Sequence, residues 1–256
     1  MRYFLELAYN GTRFCGWQRQ PNAPSVQQTI EDVFTMMLRQ QIEITGCGRT
    51  DTGVHASQYF AHFDFESDYP KNFLDRANKL VGNDIALKKI IAVDDDVHAR
   101  FDATSRSYQY ALSFEKSPFL TETAWFFTQK DRLDFDKMQK AADLLRGYAA
   151  FVPFCKTHSD AQTMNCNIIQ SEWIFTDDGA SFHISANRFL RGMVRLIVGM
   201  CINVGLGQLS LEDVKEALDK QEPLKKSYSV PPTGLFLMDI KYPFIMANGE
   251  YFNGEL

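Results

Sequence analysis

Residues 2–9 alternate between apolar and polar positions, with Tyr3, Leu5, Leu7 and Tyr9 on one side. That is the period of a half-buried strand, and Asn10-Gly11 breaks it. Ser25 and Gln28 then form a capping pattern ahead of Val26, Ile30, Val33, Phe34 and Met37, which recur at helical spacing. Ile42 and Ile44 predict a short strand, a glycine-rich loop runs from Gly46 to Gly53, and Tyr59, Ala61, Phe63 and Phe65 alternate again. A helix is predicted over 70–82, started by Pro70 and stopped by Gly82, followed by a strand from Ile85 to Val93. The order so far is β-α-β-β-α-β.

From about residue 98 a strand carrying Tyr108, Tyr110 and Leu112 opens a second half. Asp134 caps a helix with Met138, Ala141, Ala142 and Leu145 on one face, ended by Gly147. Ile168–Phe175 and Ser181–Ser185 read as strands joined by the hairpin signal Asp177-Asp178-Gly179. An apolar helix is predicted over 188–204, then a short one capped by Ser210 and Asp213. Pro231-Pro232 introduces a last strand, Leu235 to Tyr242. We therefore expect two α+β halves, 1–104 and 105–256, with no fixed-period repeat and no low-complexity linker.

Composition changes this picture in three respects. With 256 residues, 45% of them apolar, the chain can bury a sizeable core as one large domain or two ordinary ones. A net charge of -5 argues against simple electrostatic RNA binding, so any nucleic-acid site must be a local basic patch, and charge alone points to a small-molecule enzyme. No run of eighteen apolar residues and no signal-peptide pattern are present, so the expected location is the cytoplasm, with no membrane partner. The five cysteines are scattered and form no CxxC pair, which predicts free thiols. Cys155, His158 and Cys166 lack a clear fourth ligand, and no metal is assigned.

Candidate chemistry concentrates in Gly48-Arg49-Thr50-Asp51-Thr52-Gly53-Val54-His55-Ala56, where glycines surround one acid and one base. Taken alone, Asp51 is more readily a turn-forming residue than a reactive one. A second concentration lies in the predicted helix over 188–204. At about 100° per residue, Arg188, Arg191, Gly192, Arg195 and Gly199 share one stripe while apolar residues fill the rest. Such a stripe suits a cleft where carboxylate or phosphate meets the helix.

The GRTDTGVHA segment closely resembles the catalytic motif of TruA-type pseudouridine synthases. So do Tyr9-Asn10-Gly11-Thr12 with Phe14, Gly16-Trp17-Gln18 and Gln20; Ser25-Val26-Gln27; Ala99-Arg100-Phe101 with Arg106-Ser107-Tyr108-Gln109-Tyr110; Phe189 to Arg195; and Pro231 to Leu235. These blocks follow the family's order across nearly the whole chain. The resemblance implies the pseudouridine synthase fold: two ferredoxin-like or RRM-like halves with antiparallel sheets around a central cleft, the C-terminal half also carrying a dimer-forming surface. It implies a cofactor-free isomerase acting on uridines 38–40 of the tRNA anticodon stem-loop as a homodimer.

Site roles follow from the same resemblance. Asp51 is the catalytic carboxylate, Arg195 pairs with it and keeps it ionised, and Tyr108 packs against the target base. Arg49 engages the RNA and helps to expel the nucleotide, and Arg188 and Arg191 join Arg49 and Tyr108 in substrate binding. His55 is read as loop packing, Tyr110 as structural, and Phe14 with Trp17 as a loop anchor. Arg13, Arg19, Lys71, Arg100 and Arg106 are solvated charges taken singly and RNA contacts taken together. The chain departs from the family pattern at Thr52, where Ala is usual, at Gly147–Phe151, where a Gly-His-Asp-Phe cluster is common, and at Arg191-Gly192, positions more often aromatic or His. Two rivals remain on the residues alone: a carboxylate-nucleophile hydrolase and a non-catalytic RNA-binding module.

Overall fold

The computed structural model of the chain describes residues 1–67, 69–156, 162–245 and 251. Two compact units emerge, one of Met1–Thr104 with Phe236–Leu256 and the other of Ser105–Leu235. The end of the chain thus differs from the expected half of 105–256, because the last strand returns to the first unit.

In the first unit, β1 (Arg2–Tyr9) runs antiparallel to β3 (His55–Asp64) on one side and to β4 (Ile85–Val93) on the other. The short β2 (Thr45–Gly46) pairs with β3, and β9 (Leu235–Lys241) joins β3 in parallel through His55 and Ala56. The sheet is therefore not wholly antiparallel. Helix α1 (Val26–Leu38) begins where the Ser25 side chain accepts the Gln28 N–H, as the cap pattern predicts, and ends at Arg39 in the left-handed region. Its Phe34 meets Phe63 of β3 and Phe73 of α2 (Phe73–Leu80) edge-on, which joins both helices to the core. Helix α2 starts three residues after Pro70, because Asn72 adopts φ 57° and interrupts the helix before it.

The second unit holds β5 (Ser105–Ser113), β7 (Ile168–Phe175) and β8 (Gly179–Ala186) as an antiparallel sheet in the order β5-β8-β7, with β6 (Trp125–Phe126) parallel to β5. Residues 98–102 are a turn ahead of β5, closed by the Asp102 N–H on His98 O, where the sequence suggested strand. Helices α3 (Phe135–Leu144), α4 (Met193–Gly205) and α5 (Leu211–Lys220) complete it. Gly205 brings α4 against Met138 of α3, and the Ser171 hydroxyl of β7 donates to Ala142 O at 2.9 Å. Every residue of α4 except Arg195 is buried, which explains its nearly all-round apolar sequence. Among the described residues no helix is long and apolar enough to cross a membrane.

One buried polar cluster makes the first unit acid-sensitive. His62 on β3 is 6% exposed and its Nδ1 accepts the Ala99 N–H at 3.1 Å, which fastens the 98–102 turn to the sheet. Burial, assisted by Arg2 and His98, lowers its pKa from 6.5 to about 4. Between these values the unfolded chain binds the proton that the folded one refuses, so stability is complete above pH 6.5 and lost as pH falls toward 4. The loss from this group reaches ~3 kcal/mol. His62→Gln, which keeps an acceptor but cannot titrate, is expected to narrow the difference between urea midpoints at pH 7 and pH 4.5. An undiminished difference would place the acid lability elsewhere.

Candidate active site

The loop carrying Asp51 is held backbone to backbone. Trp17 N–H donates to Thr50 O and Gly53 N–H to Phe14 O, both at 3.3 Å. The Val54 N–H donates to Asp51 O at 3.1 Å, closing a four-residue turn with Gly53 at φ 75° in its third position. Gly16, itself at φ 88°, lies so close to Thr50 O that a Cβ there would overlap it. From below, the Tyr9 hydroxyl shares a buried 2.9 Å hydrogen bond with Thr50 Oγ1, and the Tyr59 hydroxyl donates to Gly48 O. Arg49 and Thr52 are consequently exposed, Thr50 points inward, and Asp51 is half-buried at the first position of the turn.

The aromatic and histidine residues near this loop support it. Trp17 is 3% exposed and stacks on Tyr59 with ring centroids 4.0 Å apart, so it anchors the loop. His55 Nδ1 accepts the Gly11 N–H at 3.1 Å while its ring stacks on Phe236 at 4.4 Å. It is buried and packs the Gly11 loop and β9 together, a packing role as its sequence reading held.

Tyr108, Arg188, Arg191 and Arg195 lie in the second unit. Tyr108 and Tyr110 share one face of β5 with different environments. Tyr110 is fully buried, donates its hydroxyl to Pro231 O at 2.8 Å, and has its pKa raised by that burial. Tyr108 is half-buried and meets Phe189 edge-on at 5.2 Å. Phe189 sits in a turn between β8 and α4, flanked by Arg188 and Leu190. Asn187 organises this turn: its Oδ1 accepts N–H groups from Arg188 and Asn167, and its carbonyl accepts from the Arg106 guanidinium at 3.0 Å.

The predicted arginine stripe along one helix is corrected here. Helix α4 starts at Met193, because Gly192 takes φ 71° and no helix runs through that conformation. Arg188 and Arg191 therefore belong to the preceding turn, and only Arg195 is helical. Its Nε donates to Val230 O at 2.7 Å while Val230 N–H donates to Arg195 O at 3.3 Å, a reciprocal pair that orients the guanidinium. Gly199, one turn on, allows this approach, since a Cβ there would overlap Tyr228 O. Burial of Cys166 pushes its thiol up to about 11, so it is no ready thiolate ligand. His158 of the Cys155, His158 and Cys166 trio lies outside the described residues.

Two features escaped the sequence reading. From Gly179 to Leu211 the chain contains His183, Arg188, Arg191 and Arg195 but no Asp or Glu, a local basic stretch within an acidic protein that a windowed charge count reveals. Lys156 joins these residues only through folding: its N–H donates to Arg191 O at 3.2 Å, and no local pattern announces it.

Comparison with known proteins agrees with this architecture. A family model described as tRNA pseudouridine synthase matches residues 141–243. The tRNA pseudouridine synthase A of Porphyromonas gingivalis is 44% identical over 247 residues, covering 94% of this chain and 97% of the relative. That of Azobacteroides pseudotrichonymphae is 43% identical, with the same coverage of each. The protein of the same name from Staphylococcus aureus strain JH1 is 34% identical over 94% of this chain and 90% of its own. The mixed α+β arrangement is thus that of a pseudouridine synthase, an isomerase. The chain belongs to the TruA-type tRNA pseudouridine synthase family.

The contact at Gly199 generates a prediction. Gly199→Ala is expected to push Tyr228 to Val230 away from α4, with a stability loss of ~1–3 kcal/mol, and to loosen the Arg195 guanidinium. Thermal unfolding and product assays on the variant check both. An unchanged unfolding temperature would show that the segment yields freely.

Proposed function

We propose that the protein converts uridine to pseudouridine in the tRNA anticodon stem-loop, at positions 38–40, with Asp51 as the catalytic carboxylate. The observation that carries this reading is the Asp51 turn: a half-buried acid on a backbone tied to Phe14 and Trp17, beside an exposed Arg49. The reaction breaks the N1–C1′ glycosidic bond, turns the uracil and joins C5 to C1′. C5 loses a proton and N1 regains one, so atoms balance without redox chemistry or a cofactor.

Asp51 serves as the group that attacks C1′, adds to the ring, or assists a glycal intermediate. Arg195 is the cation we assign to the same chemistry, as the family motif implies. Tyr108, backed by Phe189, packs against the uracil. Arg49 engages the RNA as the target nucleotide flips out of its stem, and Arg188 and Arg191 bind phosphates. A homodimer, acting in the cytoplasm, would combine the basic 188–195 segments of two copies in one groove, which reconciles RNA binding with the acidic net charge.

Tritium release from tRNA labelled at uridine C5, without added metal, tests the reading. The wild-type protein is expected to release label. Asp51→Asn is expected to bind tRNA as before while release falls by at least ~10³-fold. Retention of full release by Asp51→Asn would remove Asp51 from the chemistry, and no release by the folded wild type would refute the substrate.

A further inference from the structure

We propose that Lys156 is a phosphate-contacting residue of the RNA site, seated by the absence of a side chain at Gly192. This rests on the tRNA reading above and adds a residue to it. The Lys156 N–H is bonded to Arg191 O, which fixes its backbone beside the turn that leads into α4. Its Cε, Cδ and Cγ lie 2.7, 2.9 and 3.0 Å from where a Cβ on residue 192 would stand. The lysine stem thus occupies the space that any other residue at 192 would fill. Gly192 also adopts φ 71°, a conformation that favours glycine, so one residue provides both the bend and the seat.

The chemistry of the neighbourhood identifies the ligand. Arg188, Arg191 and Arg195 surround the seat in sequence, and the run from Gly179 to Leu211 contributes no carboxylate. A lysine ammonium is a compact point charge suited to a single phosphate oxygen, whereas the arginines offer planar forks. A stem laid flat against backbone has already surrendered part of its rotamer freedom, so binding costs this lysine less than a freely moving one. The ligand is an RNA phosphodiester. The role is binding, because nothing places Lys156 on the reacting atoms.

Lys156→Met keeps the apolar stem and removes the charge, and Lys156→Arg keeps the charge. For Lys156→Met the expected result is a roughly tenfold higher Kd for unmodified tRNA at low salt. The slope of log Kd against log salt should be shallower by about one, with kcat at saturating tRNA unchanged and the slope restored in Lys156→Arg. Gly192→Asn, whose side chain tolerates the left-handed backbone but displaces the lysine, should reproduce the shallower slope. A wild-type slope in both Lys156→Met and Gly192→Asn overturns the assignment, as does a fall in kcat with no change of slope. If the wild type itself neither binds tRNA nor releases label, the underlying reading fails and this proposal with it.

Discussion

An acid in a loop keeps a fixed position only if the backbone beneath it does not yield, and the Asp51 loop of the first unit is held under that constraint. Thr50 to Gly53 take no part in a helix or strand, yet they hydrogen-bond through Thr50 O and the Gly53 N–H to the loop that follows β1. Tyr9 holds Thr50 directly, Tyr59 holds Gly48 and stacks on Trp17, and His55 holds Gly11 of the adjoining loop. The end of the opening strand and the Asp51 loop, distant in sequence, are one construction. The resemblance of both to the same family reflects this mutual dependence.

The second unit meets the equivalent demand by different means. A guanidinium is flexible on its stem, and here the stem emerges from a buried helix while Nε is tied to a carbonyl of the 228–230 segment. A glycine on α4 brings that segment into range. The cations ahead of the helix sit on a turn whose geometry is imposed by Asn187 and Gly192. Backbone contacts therefore position charged side chains in both units.

Much of the fold was legible because half-buried strands alternate and capped helices announce their starts, as β1, β3 and α1 do. Two of the errors share one cause. Asn72 and Gly192 carry positive φ values that amphipathic spacing does not encode, so the helices over 70–82 and 188–204 were predicted to start too early. The pairing of β9 with β3 joins residues about 180 positions apart and leaves no local trace. At the site, His55 and Trp17 could be read as packing from their chemistry, while Asp51 emerged only through resemblance, since one acid in a glycine-rich loop has two meanings. Lys156 was invisible, because its significance lies in what Gly192 lacks.

The return of the final strand to the first unit has a practical corollary. The polypeptide crosses between units twice, once after Thr104 and once before Phe236. A fragment ending at Thr104 would lack β9 and leave the His55–Ala56 edge of β3 without its parallel neighbour, an open hydrogen-bonding margin prone to self-association. The second unit is therefore better described as an insertion into the first, and an isolated first unit is best made by splicing the chain across the gap.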